Sequence, residues 1–229
     1  MQKPNPNTDN VLPPLACEIS PEAIKHFLTF CRRRKVPKKT ILLRPGDPAD
    51  KLYFLIKGSA TVFLEDEIGG KHEIVLTYLN QGDFIGEIGL FYKIEERSAI
   101  VRTKTDCEVA EIDYSKLRQL FQRELKDAEA HILNAVGIQL SNRLMSTSRK
   151  VGELAFMDVY GRVARTLLEM CKQPDAMSHP EGTQIHISRQ EIGRIVGCSR
   201  EMAGRVLKSM TEQNMIDASG MKIVVFHER

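Results

Sequence analysis

Cysteine is sparse in this chain of 229 residues, and it is not clustered. Cys17, Cys31, Cys107, Cys171 and Cys198 form no Cys-x-x-Cys pair and no group with histidine. That spacing excludes a structural zinc site and a disulfide framework, and leaves small reduced thiols, some of them buried. No apolar run approaches the roughly 18 residues needed to cross a bilayer. The opening Met1-Gln2-Lys3-Pro4-Asn5-Pro6 lacks the apolar core of a secretory signal, so a cytoplasmic location is expected. Gly-x-Ser-x-Gly, Gly-x-x-x-x-Gly-Lys and His-Glu-x-x-His are all missing. Nothing therefore assembles a catalytic centre or a metal site, and no enzyme is expected. Excess charge is also lacking: 33 Lys and Arg face 30 Asp and Glu, a net of +3. So small a balance does not identify a polyanionic partner; only the distribution of charge can.

The composition that remains is 42% hydrophobic and 28% charged, enough for ordinary cores in one large or two modest domains. Residues 1–20 carry prolines at positions 4, 6, 13 and 14 and read as a loosely ordered arm. Glu22 to Cys31, with Ile24, Phe27, Leu28 and Phe30, reads as a short amphipathic helix. From Thr40 to Asp113 the texture changes to short β-like runs closed by Gly, Pro, Asn or Asp. Examples are Ile41-Leu42-Leu43 before Pro45-Gly46-Asp47, and Ala60 to Leu64 before Ile68-Gly69-Gly70. Regular spacing of this kind predicts an antiparallel β-barrel or sandwich. Ile88 to Glu96 interrupts it with a short helical segment.

Beyond Tyr114 the pattern is helical. Leu133, Val136, Leu140, Leu144, Thr147, Val151 and Leu154 recur every three or four residues and form one stripe. Such a stripe faces a partner helix in a two-helix dimer seam, or packs one long helix on its own barrel. About seven turns without proline exceeds what one small domain needs, which favours the seam. Phe156 to Val159 ends this helix, and Asp158 can cap the next one, Tyr160 to Cys171. Lys172 to Gly182, with Pro174 and Pro180, reads as a surface loop.

The most specific local signal lies between Ser188 and Thr211. Ser188 followed by Glu191 is a capping box, and Ile192, Ile195 and Val196 form the apolar face of a short helix. Gly197 supplies a positive φ for a tight turn, and Ser199 caps a second helix. Two capped helices joined through a glycine turn are a helix-turn-helix. In the second helix Ala203, Val206, Leu207 and Met210 lie on one side for burial. Arg200, Glu201, Gly204, Arg205 and Lys208 lie on the other. Arg can pair bidentately with guanine, and Glu can accept from cytosine, so this face has the chemistry to read a major groove. Lys222 to Phe226 predicts a wing strand.

These blocks resemble the bacterial cyclic AMP receptor protein family. The resemblance runs from about Phe27 to Arg229 and is densest in three stretches: Tyr78 to Glu87, Lys172 to Met177, and Gln190 to Glu201. It implies an α+β fold with an N-terminal antiparallel β-roll that binds a cyclic nucleotide, a long dimerisation helix and a C-terminal winged helix-turn-helix. The expected division is an arm (1–20), the β-roll domain (21–128), the long helix (129–157) and the DNA-binding domain (158–229). By resemblance Gly86, Glu87, Arg97 and Ser98 form the phosphate and ribose cradle for cyclic AMP, and Thr147 and Ser148 contact adenine. An Arg, a hydroxyl and backbone N–H groups suit the single negative charge of a cyclic phosphate. Arg189, Gln190, Ser199, Arg200, Glu201, Arg205 and Lys208 are expected to contact double-stranded DNA at palindromic TGTGA-like sites, bound by a homodimer. The resemblance also implies two RNA polymerase contacts, one at Ser178, His179 and Gly182 and one at Arg32, Arg34 and Lys116. The run Arg32-Arg33-Arg34-Lys35 equally suits a solvated charged face. Ile100 departs from the family, which has an aromatic there. Other members of the superfamily sense cyclic di-GMP, haem-bound gases or oxygen, and the scattered cysteines here do not suit an iron–sulfur cluster. A response to cyclic di-GMP, activity without ligand, and a nucleotide-binding module acting on a protein partner remain alternatives.

Overall fold

The structure, a computed structural model, describes residues 20–65, 73–173 and 176–226. The proline-bearing arm up to residue 19 and the turn at Ile68-Gly69-Gly70 lie outside the described residues. The chain opens with helix α1 (Pro21–Thr29), whose first turn is capped by the Ser20 hydroxyl accepting from Ala23 N at 3.2 Å. Strands β1 (Arg32–Val36), β2 (Ile41–Leu43), β3 (Lys51–Lys57), β4 (Ala60–Glu65), β5 (Glu73–Leu79) and β6 (Phe84–Ile85) follow. The one-turn helix α2 (Ile88–Phe91), strands β7 (Ile100–Thr103) and β8 (Cys107–Asp113) and helix α3 (Tyr114–Phe121) complete the first half.

These strands form two antiparallel four-stranded sheets, in the orders β1-β8-β3-β6 and β2-β7-β4-β5. Side chains alternate across a strand, and β3 shows the consequence. Its Tyr53 and Leu55 enter the core between the sheets with Val101 and Val109. Its Leu52 and Phe54 enter a second core with Phe27, Leu117, Ile132 and Val136. β3 is buried on both faces, so its period-2 signal vanishes into a continuous apolar run. The basic run at 32–35 lies on the edge strand β1, in register with β8 from Arg32 opposite Glu111 to Val36 opposite Cys107. Charge on an edge strand discourages pairing with another chain. Ile100, the departure from the family pattern, is buried in β7.

A 3-10 turn at Lys126–Ala128 leads into the 28-residue helix α4 (Glu129–Phe156). The expected stripe on this helix divides. Val136 is fully buried against the chain's own β-roll, with Leu133 and Leu140 packed beside it, whereas Leu144, Thr147, Val151 and Leu154 are exposed. The assignment of Val136 to a partner-facing seam is therefore corrected. A helix of 3.6 residues per turn places it beside Ile132 and Ala135, which the core claims first. The short helix expected over 88–96 is also shorter than its pattern, ending at Phe91.

The C-terminal part comprises α5 (Val159–Met170), β9 (Met177–His179), β10 (Gly182–His186), α6 (Arg189–Val196), α7 (Arg200–Glu212), β11 (Ile216–Ser219) and β12 (Lys222–Phe226). The stretch expected as a loop closes with a hairpin, because β9 and β10 pair from Met177 opposite Gln184 to His179 opposite Gly182. The four strands form one antiparallel sheet, β11-β12-β10-β9. Val163, Leu167, Ile192, Val196, Ala203, Leu207 and Ile223 join a separate core under the three helices. No helix among the described residues is long and apolar enough to cross a membrane.

Candidate functional site

Glu87 and Arg97 are the two buried charged side chains among the described residues, 4% and 7% exposed. Isolated buried charges are costly, so each needs partners. The segment from Gly86 to Arg97 supplies a turn for them: Gly86 follows β6 at φ +85, and Glu87 is the N-cap residue of α2. Glu87 accepts from Arg143 Nη1 at 2.5 Å, and Arg143 Nη2 donates to the Phe84 carbonyl at 3.0 Å. Arg97 donates from Nη2 to the Lys51 carbonyl at 2.5 Å and from Nη1 to the Tyr114 hydroxyl at 3.2 Å. Its Nε is buried and has no partner. A buried N–H of a cation with no acceptor is an expensive group to leave unmade. An anion fits it. The residues present therefore suit a cyclic phosphate at Arg97, with the Glu87 carboxylate as the hydrogen-bond acceptor nearby.

Ser98 is exposed next to Arg97, and Gly86 is half-buried beside it. Thr147 and Ser148 are both exposed on α4, one turn beyond Arg143, and join neither Glu87 nor Arg97. Sequence reasoning missed two residues that bind this region to α4. Gln139 behaves as a strand mimic: its Oε1 accepts from Phe84 N at 2.7 Å and its Nε2 donates to Phe84 O at 2.8 Å. Arg143 is the second. Both stand on the face of α4 that turns to the β-roll, but a polar residue there reads in the sequence like any solvated position. A cleft of about 420 Å³ opens beside them, lined by Thr77, Asp83, Phe84, Gln139, Asn142 and Arg143. It reaches Arg143 but not Arg97, so the charged cluster and the open volume adjoin without coinciding.

The lower half of α4 connects to the helix-turn-helix. Lys150 donates from Nζ to the Val75 carbonyl, and burial lowers the pKa of its ammonium. Arg162 on α5 donates from Nη1 to Met157 O at 2.7 Å and from Nε to Val196 O at 2.9 Å, tying the end of α4 to α6. β5 makes a second connection. Glu73 bridges Arg102 of β7 at 3.1 Å and Arg194 of α6 at 2.7 Å. The Tyr78 hydroxyl donates to Glu191 at 3.0 Å. Burial, with the Glu191 carboxylate beside it, pushes the Tyr78 phenol well above its ordinary value.

The reading helix forms from the predicted local signals. Asp158 accepts from Gly161 N at 2.7 Å, Ser188 from Glu191 N at 3.1 Å and Ser199 from Met202 N at 3.1 Å. Gly197 adopts the left-handed conformation at φ +71. The capping box is half made, since the Glu191 carboxylate turns to Tyr78 and to Arg194 one turn on rather than back to the Ser188 N–H. Ser199 thus uses its hydroxyl as a cap. Arg189, Gln190, Arg200, Glu201, Arg205 and Lys208 are all exposed, while Ala203, Val206, Leu207 and Met210 are buried. Gly204 leaves room for the stem of Arg189, whose Cδ lies 3.5 Å from the place a Cβ would take.

Of the two expected polymerase patches, Ser178 is exposed on β9 and His179 is half-buried, accepting from Glu181 N at 3.3 Å. Gly182 is buried, and a Cβ there would run into the Val225 backbone, so it shapes the hairpin rather than offering surface. Arg32 and Arg34 are exposed on β1, with Arg34 bridging Glu111 at 3.1 Å. Lys116 donates to the Phe30 carbonyl at 3.0 Å.

Residues 33–124 match the cyclic nucleotide-binding domain family, and residues 161–228 match the Crp-like helix-turn-helix domain family. The cAMP-activated global transcriptional regulator Vfr of Pseudomonas aeruginosa is 53% identical over 212 residues, covering 90% of this chain and 96% of that protein. The cAMP-activated global transcriptional regulator CRP of Escherichia coli is 54% identical over 206 residues, covering 90% and 95%. A solved structure of the c-di-GMP responsive global regulator CLP of Xanthomonas campestris superposes with a TM-score of 0.84 at 48% identity, covering 90% of this chain and 99% of that one. A buried cation with an unpartnered N–H, a buried carboxylate tied to the long helix, an exposed reading helix and these relatives agree. The chain is a DNA-binding, cyclic-nucleotide-responsive transcription regulator of the CRP family.

Proposed function

We propose that the chain is a cytoplasmic, cyclic AMP-responsive homodimer that binds palindromic TGTGA-like promoter sites and contacts RNA polymerase. The observation that carries the ligand assignment is the unpartnered Nε of buried Arg97. One unmet donor edge suits one phosphate, and cyclic AMP carries one whereas cyclic di-GMP carries two. Arg97 and Ser98 hold that phosphate, Gly86 lets the backbone come close, and Glu87 accepts from the ribose hydroxyl. Thr147 and Ser148 contact adenine, one protomer's hydroxyl reaching the base bound in the other. The exposed lower stripe of α4, Leu144, Val151 and Leu154, supplies the seam between copies. The proposed division at residues 20, 128 and 157 puts sensing, dimerisation and reading in successive segments.

Coupling follows the contacts. Nucleotide at Glu87 competes with or reinforces Arg143, and Arg143 and Gln139 are the grip of β6 on α4. A change in that grip reaches Met157, then Arg162 and the Val196 carbonyl at the end of α6. Ligand shifts the population only so far as it binds the DNA-competent arrangement more tightly than the other. In that arrangement the two α7 helices enter major grooves one DNA turn apart. Arg200, Glu201 and Arg205 then meet base edges, while Arg189, Gln190, Ser199 and Lys208 meet the sugar-phosphate strand. Ser178 and His179 on the β9–β10 hairpin, with Gly182 shaping it, form one polymerase contact. Arg32, Arg34 and Lys116 form the other.

The likeness to a regulator described as c-di-GMP responsive supports a second reading, in which the same fold answers that dinucleotide. Fluorescence anisotropy of a labelled TGTGA duplex at fixed salt, with cyclic AMP, with cyclic di-GMP and with neither, separates the two. Tightening by cyclic AMP alone supports the proposal. Loosening or tightening by cyclic di-GMP alone moves the assignment to the second reading. Equal, tight binding in all three removes the switch and keeps the DNA-binding regulator.

A further inference from the structure

Tyr114 has no role in any assignment above, yet its hydroxyl stands at the centre of the Gly86–Arg97 segment. It begins α3, where its backbone N–H donates to the Asp50 carbonyl at 2.9 Å, one residue before the carbonyl that receives Arg97. The hydroxyl donates to Gly86 O at 2.5 Å and accepts from Arg97 Nη1 at 3.2 Å. The segment is wrapped around this phenol. A Cβ on Gly89 would stand 2.5 Å from the hydroxyl, and one on Gly86 would stand 3.1 Å from it and 2.5 Å from Arg97 Nη1. Burial pushes the Tyr114 phenol above its ordinary value, so at neutral pH it keeps the proton that Gly86 O requires.

We infer that Tyr114 is a positioning residue for anion recognition, holding Arg97 by Nη1 so that its empty Nε edge is the one offered to the cyclic phosphate. A guanidinium carries five N–H donors in a rigid fork, so engaging some of them fixes where the others point. Lys51 O takes Nη2 and Tyr114 takes Nη1, and what remains without a partner is Nε. The same phenol fixes the Gly86 carbonyl, so the cation and the backbone of the cradle share one anchor. Remove the hydroxyl and the guanidinium can turn, and two buried groups lose their partner together. The inference rests on the reading of Arg97 as the phosphate ligand.

The test is a double-mutant cycle on the full-length protein: wild type, Tyr114→Phe, Arg97→Gln and both together. Affinity for cyclic AMP is read by titration calorimetry, and the thermal midpoint checks the fold. Tyr114→Phe keeps the ring that packs between the glycines and removes only the hydroxyl. It is expected to weaken cyclic AMP binding about tenfold in the wild-type background, the scale of one charge-assisted hydrogen bond. In the Arg97→Gln background it should change affinity less than about twofold, because the residue it positions is gone. An equal loss in both backgrounds, or no loss in the first, overturns the inference: the tyrosine is then packing alone or irrelevant. If Arg97→Gln by itself binds cyclic AMP as tightly as wild type, the pocket assignment is what has failed. Should Tyr114→Phe lower the thermal midpoint severely, the cycle is repeated at a temperature where all four proteins are folded. It must then show the same dependence on Arg97.

Discussion

Arg97 and Arg205 carry the same guanidinium into opposite surroundings. Arg97 is 7% exposed, its Nη atoms are taken by Lys51 O and Tyr114, and the donor left without an acceptor is its Nε–H. Arg205 stands exposed on α7, whose other face is buried. Under the proposed assignment, the difference separates two ways of recognising an anion. In the pocket, desolvation makes a wrong or absent partner expensive, so a small ligand is selected by geometry. On α7 the charge stays hydrated, so attraction to the DNA backbone is strong but unselective, and sequence enters through contacts to base edges.

Replacing the buried cation tests this contrast most severely. Arg97→Leu is expected to weaken cyclic nucleotide binding about a hundredfold or more, the scale of losing a desolvated charge partner. The fold should remain, since Arg97 is bonded to a carbonyl and a hydroxyl rather than to a carboxylate, so its loss leaves no buried charge unpaired. Calorimetric titration with a thermal melt decides, and a variant that still bound nucleotide normally would dissolve the distinction. Arg205→Ala should act on the other side alone. It is expected to cost about 1–3 kcal/mol against the best duplex and much less against a scrambled one, with nucleotide affinity unchanged. Anisotropy with both duplexes reads it.

Smaller effects sharpen the comparison. Ser199→Ala removes the cap of α7 and should lower stability by about 1 kcal/mol without touching the pocket, read by urea denaturation. Lys208, exposed and 3.7 Å from Glu212, should contribute little to stability. Lys208→Ala is expected to lower DNA affinity evenly across sequences and to flatten the log-affinity against log-salt slope by about one. Nucleotide affinity should barely respond to salt, because a buried pair is poorly screened. The smallest effect at neutral pH belongs to Tyr78, which joins the two regions. Its folded-state value is raised, so below the unfolded value of 10.0 both states hold the proton and nothing changes. Above it the unfolded chain loses the proton first, and stability should fall with rising pH. Tyr78→Phe should show a shallower alkaline decline in a pH series of melts.

Much of the reading head is legible residue by residue because its signals are local. Ser188 and Ser199 each cap a helix within three residues, Gly197 supplies its own positive φ, and the split between Val206 and Arg205 follows from helix geometry. The pocket is legible only in outline. Gly86-Glu87 and Arg97-Ser98 stand out by resemblance, but their burial does not, and the partners that make it tolerable come from afar. Tyr114 lies 28 residues from Gly86, Gln139 lies 55 from Phe84, and Arg143 lies 56 from Glu87. Nothing in their neighbours marks them, because a polar residue on a helix face reads alike whether it meets water or a carbonyl. Val136 shows the same limit in an apolar residue: periodicity places it on a stripe, and packing decides which surface the stripe meets.

The chain by itself therefore determined its helix caps, its turn glycines and the two-faced second helix of the helix-turn-helix, since each depends on a few adjacent residues and their dihedral preferences. The tertiary structure alone decided which charges are buried, which half of α4 is covered, and that Glu73 and Tyr78 hold α6. Those outcomes depend on desolvation and on contacts closed across long loops, which no local preference encodes.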